Sequence, residues 1–145
     1  MALCSPKTAI YKLIMKIRLI VVEDNDLVRQ GVIGLLNEQE DLLVVGEADN
    51  GFKAVELLER GLESDIVLTD FNMPGMDGAT LAEKILHISP KLKIIILTMH
   101  QRAEFVDRAR AAGASGYMLK DGNFDELFAG IRRVYRGEKF VTVGL

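Results

Sequence analysis

The sequence predicts an α/β fold, one doubly wound parallel sheet with helices on both faces, and three observations predict it. Five short β-branched runs alternate with stretches of helical spacing. The runs are apolar nearly throughout rather than alternating, which is the texture of strands covered on both faces. With 145 residues, 49% of them hydrophobic, the chain has the length and apolar content of one domain.

The first run is Ile17-Arg18-Leu19-Ile20-Val21-Val22, and Val28, Val32, Leu35 and Leu36 follow it at i, i+4, i+7 and i+8. Leu42-Leu43-Val44-Val45 is the second, followed by Phe52, Val55 and Leu58 in steps of three. After the third, Ile66-Val67-Leu68, Asp77 reads as an N-cap for a helix carrying Leu81, Ile85 and Ile88. Ile94-Ile95-Ile96-Leu97 is the fourth; Phe105, Val106, Ala109 and Ala112 give it a weaker helical face, stopped by Gly113. Tyr117-Met118-Leu119 is the fifth, before the clearest stripe of all: Phe124, Leu127, Phe128, Ile131, Val134 and Tyr135. Asn123 is its N-cap, Asp125 and Glu126 its first turn, and Arg132, Arg133 and Arg136 its end, as the helix dipole favours. Gly137 stops it. Right-handed crossovers leave little choice but a parallel sheet. Residues 1–14 and 138–145 fall outside this pattern. They are expected to be an N-terminal extension ahead of a natural start at Met15, and a tail or linker start behind a domain at 15–137.

Composition excludes several classes. Three Pro, 13 Gly and 27% charged residues are too few for a disordered or collagen-like chain. A net charge of -3 argues against a grip on nucleic acid by bulk electrostatics. The one cysteine, Cys4, allows neither an internal disulfide nor a thiolate metal cage and suits a reducing cytoplasm. Apolar runs of four or five residues are too short for a membrane span or a signal sequence.

In a doubly wound sheet chemistry gathers at the carboxyl ends of the strands. Here those ends read Glu23-Asp24, Asp70, Thr98 and Lys120 for strands one, three, four and five. Strand two ends in Glu47-Ala48-Asp49 but is the outer strand in the common order 2-1-3-4-5. Taken singly, such carboxylates are usually solvated loop residues or caps, Thr98 a strand residue and Lys120 a surface one. Packed together, Glu23, Asp24 and Asp70 repel one another unless something cationic intervenes, and a hard, oxygen-ligated cation such as Mg2+ resolves that conflict. The Pro74-Gly75 turn after Asp70 can bend backbone groups towards a ligand, or can be an ordinary connection.

These residues resemble a response-regulator receiver domain, the phosphoryl-accepting half of bacterial two-component signalling. The resemblance rests on Val21-Val22-Glu23-Asp24-Asn25, on Leu68-Thr69-Asp70-Phe71-Asn72-Met73-Pro74-Gly75-Met76-Asp77-Gly78, on Ile96-Leu97-Thr98, and on Gly113-Ala114-Ser115-Gly116-Tyr117-Met118-Leu119-Lys120. It covers Ile17 to about Gly137. Gly46-Glu47-Ala48-Asp49-Asn50-Gly51 and Ala112 to Tyr117 further resemble the NarL/FixJ group, whose output is a LuxR-type helix-turn-helix. The resemblance implies a flavodoxin-like (βα)5 sheet and, residue by residue, Asp70 as phosphoryl acceptor. Glu23, Asp24, Asp70 and the Asn72 backbone carbonyl would hold Mg2+, with Glu23 acting through water. Thr98 and Lys120 would contact the phosphoryl group. Tyr117 would be the switch aromatic, turning from exposed to buried and altering the face of the fourth helix, fifth strand and fifth helix. Its bland alternative is a half-buried strand aromatic with its hydroxyl in water. The donor histidine would come from a partner kinase or phosphotransfer protein, so His87 is a surface residue; His100 either influences attacking water or is an ordinary loop residue. The chain is expected not to be an enzyme beyond autophosphorylation and autodephosphorylation. A phosphorylation-dependent homodimer, a cytoplasmic location, and DNA contact only through an output domain absent from this chain are also implied. Departures are Glu23 where an Asp often stands, Ser64 where a Pro often precedes the third strand, and residues 1–14, which have no counterpart.

Other readings fare worse. A haloacid-dehalogenase-type phosphatase needs a second Asp two residues after the first, where this chain has Asn72, and a Toprim-like nuclease fails at the same position. No Walker A sequence is present, and Gly113-Ala114-Ser115-Gly116 lacks dinucleotide-fingerprint spacing. A stand-alone receiver, or a pseudo-receiver serving as an interaction module, is the remaining alternative, the second weakened by Asp70, Thr98 and Lys120.

Overall fold

The computed structural model describes residues 16–120 and 123–145. The extension expected at residues 1–14 lies outside them. Eleven elements alternate along the described chain: β1 Ile17–Val22, α1 Asp26–Asn37, β2 Leu42–Ala48, α2 Gly51–Glu59, β3 Ile66–Thr69, α3 Gly78–Ile88, β4 Lys93–Thr98, α4 Ala103–Ala111, β5 Gly116–Leu119, α5 Phe124–Tyr135 and β6 Val141–Val143. The strands form one sheet in the order β2-β1-β3-β4-β5-β6, every neighbouring pair parallel. The predicted order is therefore present and is extended by a sixth strand, which the sequence reading left in the tail.

Alternation along each strand splits the core into two layers. Ile20, Val22, Val67, Ile94, Ile96 and Tyr117 face a layer shared with α2, α3 and α4. Leu19, Val21, Leu68, Ile95, Leu97 and Met118 face α1 and α5. Because both layers are full, β3, β4 and β5 are buried along almost their whole length, which is why their sequences show no polar alternation.

Caps fix where the helices begin, and so the length of each loop at the carboxyl rim. Asn25, Asn50 and Asp77 each accept the backbone N–H three residues on, and Asn123 accepts that of Asp125. At α4 the N-cap residue, Arg102, makes no side-chain cap hydrogen bond. The chain passes from β1 to β2 on one side and returns to β3 on the other, so the order reverses at β1. The crevice at such a reversal is where doubly wound sheets bind ligands, and here it lies between the ends of β1 and β3.

Candidate functional site

Glu23 leaves β1, Asp70 leaves β3 and Lys120 leaves β5, and the three side chains meet across the crevice. The Lys120 ammonium donates to Glu23 Oε1 at 3.0 Å and to Asp70 Oδ2 at 3.4 Å. All three are nearly enclosed, with side-chain exposures of 12% for Lys120, 7% for Glu23 and 14% for Asp70. Backbone bonds hold the strand ends that aim them: Glu23 N–H to the Ala48 carbonyl, Asp70 N–H to Val22, and Lys120 N–H to Thr98. The other Asp70 oxygen, Oδ1, accepts the Phe71 N–H at 2.8 Å.

Asp24 is exposed, and it completes a cluster with Glu23 and Asp70 whose carboxylate oxygens lie within 4.8 Å of one another. At an effective dielectric of about 20, unit charges so spaced repel by roughly 3 kcal/mol, less at exposed Asp24. One ammonium cannot offset three carboxylates. Glu23 registers the deficit: burial pushes its carboxyl up to about 7, the Lys120 hydrogen bond opposes this, and Asp70 adds to it. Its Oε2 is buried and, among the described residues, is the buried side-chain oxygen without a hydrogen-bond partner. A crowded, all-oxygen donor set with one orphaned lone pair fits a hard divalent cation such as Mg2+. Asn72 stands exposed in the following loop, two residues after Asp70.

Thr98, at the end of β4, is fully buried, and its Oγ1 accepts the His100 N–H at 3.3 Å. Tyr117 is also fully buried, and its hydroxyl donates to the His100 carbonyl at 2.6 Å. Neither the half-buried alternative nor the exposed starting position expected of a switch is seen for this tyrosine: the ring fills the α4-side layer, and the one polar atom finds a backbone acceptor. Burial raises the Tyr117 phenol above its ordinary value, and the Asp70 charge adds to this. His100 contributes its backbone to both bonds, while its imidazole meets the Phe105 ring edge-on, centroids 6.2 Å apart. His87 is on the surface, as read.

The sequence reading missed Arg29, one turn into α1. Its guanidinium donates to the Glu23 carbonyl at 2.8 Å and bonds Asp26 and Glu47, tying α1 and β2 to the acid pair. Its place six residues beyond Glu23 was the available signal, and an arginine on a helix has no reason to stand out by itself. The crevice opens into a cleft of about 400 Å3. Glu23, Asp70 and Lys120 line its floor, and Val28, Met99 and Phe124 are among its walls.

Comparison with known proteins gives a concordant result. The family model described as the response regulator receiver domain matches residues 19–132. The response regulator GacA of Pseudomonas aeruginosa is 38% identical over 126 residues, 87% of this chain and 58% of GacA. Thus the chain spans little more than half the length of that relative. The solved signal receiver domain of NarL from Mycobacterium tuberculosis superposes with a TM-score of 0.79 at 34% identity, covering 85% of this chain and 98% of that one. RcsB dimers bound to two parallel DNAs give a TM-score of 0.78 at 29% identity, covering 87% of this chain and 64% of that one.

Proposed function

This chain belongs to the response regulator receiver family, related to NarL and GacA, and from that premise we propose that it accepts a phosphoryl group on Asp70 from a histidine kinase or phosphotransfer protein. The observation that carries the proposal is the meeting of Glu23, Asp70 and Lys120 from three strands at the reversal of strand order. Glu23, Asp24, Asp70 and the Asn72 carbonyl would hold Mg2+. That ion supplies charge neutralisation for the phosphoryl oxygens during in-line transfer.

The chain's own residues do the rest. Asp70 Oδ1 is fixed by the Phe71 N–H, which orients the carboxylate. Oδ2, which accepts the longer Lys120 contact, attacks phosphorus. The O–P bond forms as the donor's N–P bond breaks, and the nitrogen lone pair returns to the donor imidazole. Negative charge then lies on the phosphoryl oxygens, where the Lys120 ammonium and the Thr98 hydroxyl can follow it. The cleft beside Asp70 has room for an imidazole or a small phosphodonor. In this reading the chain acts as an acceptor whose own reactions are autophosphorylation and autodephosphorylation.

Tyr117 is the switch residue of this reading. Its bond to the His100 carbonyl, two residues past Thr98, joins β5 to the loop that leads from the phosphoryl contact into α4, and through these to the face they form with α5. The altered face would favour a homodimer, and DNA contact would fall to a LuxR-type unit outside these 145 residues. The location proposed is cytoplasmic; among the described residues no helix is long and apolar enough to cross a membrane.

Incubation with Mg2+ and acetyl phosphate, read by intact-mass spectrometry, tests the proposal. One phosphoryl adduct is expected on the wild type and none on Asp70→Asn. Adduct formation that persists in Asp70→Asn, or none on either protein, overturns it.

A further inference from the structure

The loop that carries Asp70 is gripped at both ends by one helix, and the phosphoacceptor reading above does not use that grip. Phe71 follows the acceptor directly; its N–H holds Asp70 Oδ1, and its carbonyl accepts the Gly78 N–H at 2.7 Å. The loop from Asp70 to Gly78 is therefore closed on itself. It is closed tightly enough that a Cβ on Gly78 would sit 2.5 Å from the Asp70 carbonyl oxygen. The Phe71 ring, buried, stacks on Phe105 of α4 with centroids 4.2 Å apart and planes 14° from parallel. One turn further along α4, Arg108 lays its guanidinium 5.3 Å from the Phe71 centroid and pairs with Asp77 Oδ2 at 2.8 Å. Asp77 is the residue that caps α3 at the far end of the same loop. Phe105 and Arg108, spaced i and i+3, thus lie on one face of α4 and touch both ends of the loop.

We infer that Phe105 and Arg108 are positioning residues for the phosphoacceptor loop, acting on Asp70 through Phe71 and Asp77. The effect on phosphoryl transfer rests on the proposed function; the effect on loop order does not. The clamp sets the direction of the Asp70 carboxylate and the placement of Asn72, the two loop ligands proposed for the cation. It does so from a helix whose own N-cap lacks a side-chain bond, so α4 and the loop hold one another. A guanidinium is suited to this double contact because its plane can lie along a ring while its edge meets a carboxylate.

The test compares wild type with Phe105→Ala, Phe105→Leu, Arg108→Ala and Arg108→Lys. Amide hydrogen exchange of the peptide spanning residues 70–78 is measured without metal, Mg2+ affinity by calorimetry, and phosphorylation at limiting and saturating Mg2+. Phe105→Ala and Arg108→Ala are expected to speed loop exchange about tenfold and to weaken Mg2+ binding by about tenfold, the lower range for losing support behind a ligand. Phosphorylation slows at limiting Mg2+ and recovers at saturation, a split that mere loss of stability does not produce. Phe105→Leu and Arg108→Lys fall between, and they carry the test if Phe105→Ala fails to fold. Folded variants with wild-type loop exchange and wild-type Mg2+ affinity overturn the clamp. If the wild type neither binds Mg2+ nor accepts phosphate, the proposed function fails, and the metal-free exchange still decides the clamp.

Discussion

The Tyr117 hydroxyl donates to the His100 carbonyl at 2.6 Å from a position with no exposed surface. Tyr117→Phe keeps the ring and its packing and removes only that bond. The expected cost is about 1 kcal/mol, seen as a lower denaturant midpoint with an unchanged m-value. The sequence could single out Tyr117, because its place three residues before Lys120 on one strand follows from chain order. It could not decide whether the ring points inward. That depends on space left by Ala109, Ala112 and Ala114, small residues of the same layer that meet only in the folded chain. Glu23, Asp70 and Lys120 were legible for the opposite reason. A strand that ends in a charge delivers it to the same rim whatever packs beside it, so topology alone gathered them. The Phe71–Phe105 stack was invisible: two aromatics 34 positions apart carry no periodicity that joins them.

Helices α1 and α5 each contain glycine, and the two positions respond oppositely to the same change. Gly34 lies on the exposed side of α1, where a Cβ would meet nothing within 4 Å. Gly34→Ala is expected to stabilise by about 0.5–1 kcal/mol through backbone entropy and helix propensity. Gly130 lies on the buried side of α5, where a Cβ would come within 2.8 Å of Met118 Cε and 2.9 Å of Val143 Cγ2. Met118 is enclosed and Val143 is stiff, so neither yields freely. Gly130→Ala is expected to lower the thermal midpoint and to speed amide exchange in β6, whereas Gly34→Ala raises the midpoint. The length of β6 explains why it was missed. Val141 and Val143 are buried and Thr142 exposed, a true strand alternation, but three residues are too few to register as a period. They also follow Phe140, whose φ of 44° turns the chain in a way a bulky residue rarely adopts. Strand β2 was legible further along: its apolar run stops at Val45, yet pairing with β1 continues to Ala48, within the Glu47-Ala48-Asp49 end read from the sequence, because ladder bonds do not require apolar side chains.

At the scale of the whole molecule, the last helix is fastened to the first third of the chain. Arg132 of α5 bonds both carboxylate oxygens of Asp41, at 2.7 and 2.9 Å, and also reaches Gln39. The Arg132 hydrogen bonds hold the Asp41 carboxyl below its ordinary 3.8, with burial opposing and the Arg132 charge assisting. A carboxylate with a depressed folded value stabilises fully above the unfolded value, and that contribution is lost as pH falls through the folded one. Denaturant midpoints measured between about pH 5 and about pH 2 should therefore fall less steeply in Asp41→Asn than in the wild type. A variant as acid-sensitive as the wild type would show that this fastening contributes nothing to the global unfolding step. The sixth strand has a consequence of another kind, for traffic across the sheet. Helix α5 runs back from the rim that holds Asp70, and its final carbonyls, of Val134 and Tyr135, are met by Lys93 at the start of β4. A chain cut after Gly137 would emerge there, on the far rim. Because β6 runs parallel to β5, it carries the chain back, and a Cβ on Gly144 would lie 3.1 Å from Leu119, the neighbour of Lys120. Anything tethered to Leu145 therefore starts out at the rim that holds the carboxylates, roughly 10–15 Å along the strand direction from where the helix end alone would place it.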